Sequence, residues 1–108
     1  MLVRRLQPQP SLCQIAQQIR ELAKAGAISF DQNNHALDEA AKDGFTIADV
    51  KYVLERCVVV EDQGNSKYRC EGRTVDGTPM NVITRLRVIV KNRQDVLVIT
   101  VWKITAKR

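Results

Sequence analysis

Aromatic side chains are scarce in this chain. Two tyrosines, two phenylalanines and one tryptophan make up 5% of its 108 residues. That scarcity argues against a sheet paved with paired aromatics, the surface on which RNA-recognition motifs stack bases. Histidine occurs once, at His35, and the three cysteines Cys13, Cys57 and Cys70 form no CxxC spacing. A zinc site needs clustered nitrogen and sulfur ligands, so no metal is expected. Odd, scattered cysteines read as free thiols of a reducing cytosol, which predicts a cytoplasmic location. No run approaches the roughly 18 apolar residues needed to cross a bilayer. Arg4 and Arg5 are not followed by the apolar stretch of a secretory signal. GxSxG, P-loop and GxGxxG patterns are missing, as is a clustered carboxylate pair, and no cofactor is expected.

What the chain does have is a divided charge. Residues 1–62 hold seven Lys/Arg against nine Asp/Glu, a net of −2, and residues 63–108 hold ten against three, a net of +7. The division falls where the periodicity changes from helical to alternating. A basic sheet beside a nearly neutral helical layer presents one face to a polyanion, which points to nucleic acid. The plainer reading is a soluble domain with surplus surface cations. The length suits one domain with its own core.

Residues 1–10, with two prolines, read as a loose arm, and 11–108 as a single α+β domain. Ser11 is a good N-cap, and Leu12, Ile15, Ala16, Ile19, Leu22 and Ala23 form one apolar stripe, predicting a helix over about 12–25 that ends at Gly26. Ile28, Ser29 and Phe30 form a short extended piece. Ala36, Leu37, Ala40 and Ala41 give a second stripe, and Thr46 with Asp49 opens a third helix. Asp38, Glu39 and Asp43 read as a solvated helix face. Strands follow at about 57–62, 67–74, 79–90 and 96–104, with turns at 64–66, Asp76-Gly77 and 92–95. Two to three N-terminal helices packed on a four-stranded antiparallel meander is the expected fold.

The candidate site lies on the strands. Arg85 and Arg87 are two apart and point the same way, with Ile83 and Ile89, while Met80, Val82, Leu86, Val88 and Val90 line the other face. Lys67, Arg69, Glu71 and Arg73 share one face of the preceding strand. If the helices cover Met80, Val82, Leu86 and Val88, then Arg69, Arg73, Arg85, Arg87 and Lys103 meet on the open face. Such a cluster needs counter-anions, and phosphodiesters suit guanidinium forks. The alternative is that the arginines pair with Glu71 and Asp95. Tyr68 alternates onto the core side, and Trp102 reads as packing more readily than as a platform. His35 sits near a helix start, where the neutral imidazole fit for general-base work is favoured; capping or packing is the plainer role. The cysteines read as inert.

The run from His35 through Gly44, Phe45, Thr46 and Asp49 to Val50 resembles the hallmark of DUF4258, a family of small bacterial and archaeal proteins. Tyr68-Arg69, Gly72-Arg73, Asp76-Gly77 and Met80-Asn81-Val82-Ile83 continue that pattern. The layout also resembles ribonuclease toxins of the RelE, MqsR and BrnT type. The resemblance implies a metal-independent endoribonuclease that cuts mRNA, often on the ribosome, restrained by an antitoxin protein. Cleavage requires a base for the 2′-hydroxyl, cations for the phosphorane and an acid for the leaving oxygen. His35 is the candidate base. Arg85 and Arg87 are the candidate catalytic cations, and Tyr68 is a candidate acid, with Lys103 a second. Arg69, Arg73, Lys103 and Lys67 are candidate RNA-binding groups. The family often carries a histidine after Gly-Thr-Pro, where this chain has Met80-Asn81. The competing readings are a non-catalytic module that binds nucleic acid or an acidic protein, and an interaction domain whose basic sheet is buried in an oligomer.

Overall fold

A computed structural model describes residues 11–31 and 36–105. The elements run α1 (Leu12–Lys24), β1 (Ile28–Phe30), α2 (Ala36–Lys42), α3 (Ile47–Leu54), β2 (Val58–Gly64), β3 (Lys67–Arg73), β4 (Pro79–Val90) and β5 (Arg93–Lys103). This is an α+β arrangement of three helices and a five-stranded mixed sheet. The predicted arm at 1–10 and the predicted base His35 lie outside the described residues.

Local chemistry starts α1 and α3. At α1, the Ser11 hydroxyl accepts from the Gln14 amide while the Gln14 side chain accepts from the Ser11 amide. Thr46 and Asp49 close the same reciprocal box on α3. Each box satisfies two amides that the first turn leaves unpaired.

The sheet order is β1-β5-β4-β3-β2. The four later strands form the expected antiparallel meander. The expectation of four strands falls short by one: β1 pairs parallel with β5, Ile28 opposite Val96 and Phe30 opposite Val98. Gly26, at φ +78°, turns the chain out of α1 toward that edge. Three residues carry too little pattern to announce a partner some 70 positions away.

Two turns also differ from expectation. Asn65 and Ser66, both at positive φ, make the two-residue β2–β3 turn. The β4–β5 turn is only Lys91-Asn92, so Asp95, predicted to lie in a turn, belongs to β5 opposite Arg87.

The helices cover one side of the sheet. Ile19 and Ala23 of α1, and Val50, Val53 and Leu54 of α3, are fully buried against Cys70, Met80, Val82, Val96, Val98 and Val101. Gly72 lets α3 approach, since a Cβ there would lie 2.8 Å from Val53 Cγ1. Burying the Ile, Leu, Val and Met side chains of this set contributes about 1.5–3 kcal/mol each relative to exposure. The cover ends before the β4–β5 hairpin tip, where Val88, Ile89 and Val90 are exposed.

Candidate nucleic-acid interface

The register fixes which side chains share the face away from the helices. Lys67 stands opposite Arg85, Arg69 opposite Ile83, Glu71 opposite Asn81 and Arg73 opposite Pro79. Since Cys70, Met80 and Val82 face the helices, Lys67, Arg69, Arg73, Arg85 and Arg87 all project to the opposite side. The predicted gathering of arginines on one face is therefore present.

Two predicted members are elsewhere. Tyr68 is on the helix side, packed against the core, as its alternation predicts and away from the arginines beside which it was to serve as acid. Burial first, and then the charge of Asp62, push its phenol above the ordinary tyrosine range. It is neither beside the arginines nor a readier acid. Lys103 stands opposite Met80 and so also takes the helix side, where its backbone amide donates to Asp43. The reason is a bulge. Ile83 pairs with Thr100 but Thr84 pairs with Val98, leaving Ile99 as an extra residue in β5. Simple alternation would keep Leu97, Val101 and Lys103 together, whereas the bulge sends Leu97 to the arginine face and Val101 to the core. The same shift puts Trp102, half-buried, on the arginine face opposite Asn81. Sequence alternation alone did not assign it there.

The arginines differ in their partners. Arg87 grips Asp95 with a fork: Nε donates to Oδ1 at 2.8 Å and Nη2 to Oδ2 at 2.6 Å. Asp95 is only 4% exposed and also accepts from the Ser29 hydroxyl at 2.8 Å. The Arg87 bonds, opposed by burial, hold its carboxyl below the usual aspartate range. Arg87 thus ties β4 to β5 through Asp95, where the expectation of a catalytic cation had it open. Arg69 is similarly engaged, donating to Glu61, Glu71 and the buried Asn81. Pairing with Glu71 and Asp95, one of the alternatives read from the sequence, therefore applies to Arg69 and Arg87.

Lys67 and Arg85 differ. They are directly opposite each other in register, and neither has a carboxylate partner among the described residues. Opposed residues of this kind have Cβ atoms only about 5 Å apart, and like charges there repel. Arg85 Nε is shielded from solvent without a hydrogen-bond partner. Glu61, Glu71 and Asp95 pair with Arg69 and Arg87, and Asp31 adds its charge near Arg87, which leaves Lys67, Arg73 and Arg85 without a carboxylate partner among the described residues. Arg73 donates to the Gly77 carbonyl and is otherwise exposed.

No group of three or more His, Cys, Asp or Glu among the described residues is placed to hold a metal ion. Cys57 and Cys70 are buried and Cys13 is exposed, all as free thiols. A hydrogen bond with Cys70, and then burial, push the Cys57 thiol upward, so it stays protonated. No described helix is long and apolar enough to cross a membrane.

An α+β domain with helices on one side of its sheet and a partly uncompensated cationic face on the other is the class this geometry defines. The DUF4258 family model, a domain of unknown function, matches residues 32–103, and the chain belongs to that family. A search of the curated proteins finds no match.

Proposed function

We propose that this protein is a metal-independent endoribonuclease of the toxin type that grips RNA on the arginine-bearing face of its sheet. The observation that carries the reading is the opposed pair Lys67 and Arg85. Two cations face each other across neighbouring strands without a carboxylate partner among the described residues. A phosphodiester between them replaces repulsion with two charge-assisted contacts. Arg73 extends the grip along β3, while Arg69 and Arg87 keep the face rigid through their carboxylates. Arg85 would also stabilise the added charge of the phosphorane. His35 remains the candidate base. The partners of such a protein are mRNA and a restraining antitoxin.

A second reading is a non-catalytic nucleic-acid-binding module. The placement of Tyr68 and Lys103 favours it, because both candidate acids are on the wrong side of the sheet.

One experiment separates the two. Purified protein is incubated with end-labelled mRNA in excess chelator, and cut ends and gel shifts are recorded together. Cleavage that persists in chelator, and disappears in Lys67→Ala/Arg85→Ala with unchanged far-UV circular dichroism, supports the ribonuclease. Binding without cleavage selects the second reading. Each lost phosphate contact should also reduce the slope of log K against log salt by about 1. Undiminished binding by the double variant would remove this face from the mechanism.

A further inference from the structure

A cavity of about 510 Å³ lies at a notch in the sheet. Its volume falls within the range of small-ligand sites, about 300–1,000 Å³. β2 begins at Val58, opposite Glu71, so Gly72 and Arg73 run on past it without a β2 neighbour. The chain before β2 turns away into the end of α3, bringing Arg56 to the rim. Val58, Pro79 and Ile104 supply apolar walls, and Arg56, Arg73 and Glu71 supply the polar groups.

The two arginines are held in a particular way. Arg56 uses Nη1 to donate to the Tyr52 carbonyl and to Glu55, both at 3.2 Å, and its guanidinium lies 3.8 Å from the Tyr52 ring centre. Arg73 uses Nη1 to donate to the Gly77 carbonyl at 2.8 Å. In both, the protein takes one nitrogen and leaves Nε and Nη2 without a partner among the described residues. That edge is the fork that binds phosphate bidentately. Glu71 is the only carboxylate lining the notch, and Arg69 already binds one of its oxygens at 2.7 Å. Its remaining oxygen can accept from a base amino or imino group.

We infer that this notch is a nucleotide subsite: Arg56 and Arg73 clamp a phosphate monoester, and the base rests on Val58, Pro79 and Ile104 beside Glu71. Both arginines line the notch with a free fork, and a doubly charged monoester can engage two forks where a singly charged diester is matched by one. The inference rests on the RNA-directed reading and deepens it by adding a position for a phosphorylated nucleotide beside the Lys67–Arg85 grip, with Arg73 common to both and Arg56 belonging to the notch alone. Arg56 is outside the charge pattern of the strands, so strand periodicity could not have selected it.

Calorimetric titration of the full chain tests this with four probes: adenosine and guanosine 5′-monophosphate, guanosine, and inorganic phosphate. Nucleoside monophosphate should bind at least tenfold more tightly than inorganic phosphate or guanosine. Arg56→Ala and Arg73→Ala should each weaken it at least tenfold. Arg56→Lys should weaken it too, since lysine keeps the charge and loses the fork. Val58→Asp, at an exposed strand start, should repel the phosphate without loss of fold. Equal binding of phosphate and nucleotide overturns the proposal, as does wild-type affinity in Val58→Asp and Arg56→Lys. Lys67→Ala/Arg85→Ala should retain nucleotide binding. Loss of RNA grip with nucleotide binding intact, or the reverse, shows which of the two assignments has failed.

Discussion

The two faces of the sheet are built from the same four antiparallel strands, yet they are held by different forces. On the helix side, Met80, Val82, Val96, Val98 and Val101 have no exposed surface, and the helices pack on them. On the other side, order comes from charge: Arg69 with Glu61 and Glu71, and Arg87 with Asp95. The first face is fixed by what water excludes, and its substitutions should be read in stability. The second is fixed by pairing, which is weaker at a surface, and its unpaired members are available for a ligand. Lys67 and Arg85 stand out because they face each other in register, while their neighbours Arg69 and Arg87 are paired with carboxylates.

The sharpest contrast is expected from Met80→Ala. Met80 is fully buried under the helices, and truncation removes its packing and leaves a cavity. A loss of about 2–5 kcal/mol is expected in chemical denaturation. A smaller loss than that of any substitution on the arginine face would break the comparison.

Asp95→Ala comes next. Removing Asp95 leaves the Arg87 guanidinium and the Ser29 hydroxyl without their acceptor. Breaking a fully buried pair costs about 3–5 kcal/mol. Arg87 is 39% exposed, so water recovers part of this, and a loss of about 1–2 kcal/mol is expected. The effect has a pH signature. The Asp95 pKa is depressed in the folded protein, chiefly by Arg87. Its stabilisation is therefore complete above the ordinary aspartate value of about 3.9, and is lost as the pH falls from there through the lower folded value. The stability difference between wild type and Asp95→Ala should be constant near neutrality and shrink below about pH 4. A difference that grows on acidification would mean that the carboxylate is not held by Arg87.

Much of this architecture is legible in the sequence, because the signals are local. Ser11 and Thr46 announce their helices through caps, and the alternation in 67–73 and 79–90 sorts each strand into a core side and a charged side. What escaped depends on pairing across distance. The Ile99 bulge reverses the alternation in β5, so Lys103 moves to the helix side and Trp102 to the arginine face. The two-residue turn at 91–92 draws Asp95 into a strand opposite Arg87, which selects a pairing the sequence offered only as an alternative. Neither event leaves a mark in composition or periodicity. Likewise, the Arg56 edge in the notch follows from where β2 starts relative to β3, which only the register reveals.

Arg85→Ala is the smallest expected effect on stability and the most diagnostic of the outer face. Arg85 makes no ion pair with a described carboxylate, its Nε is shielded without a hydrogen bond, and Lys67 faces it across the strand pair. Replacing it removes a repulsion and an unsatisfied donor, while giving up the contact of its methylene stem with the sheet. These contributions oppose one another, so the midpoint of unfolding should move by no more than the equivalent of about 0.5 kcal/mol, in either direction. Arg87→Ala, in contrast, strands Asp95 and should cost more. A loss from Arg85→Ala as large as that from Arg87→Ala would mean that Arg85 supports the fold through a contact of its own. A near-neutral result would instead identify a cation kept on the sheet at no structural benefit, which is the property expected of a group that meets an external anion.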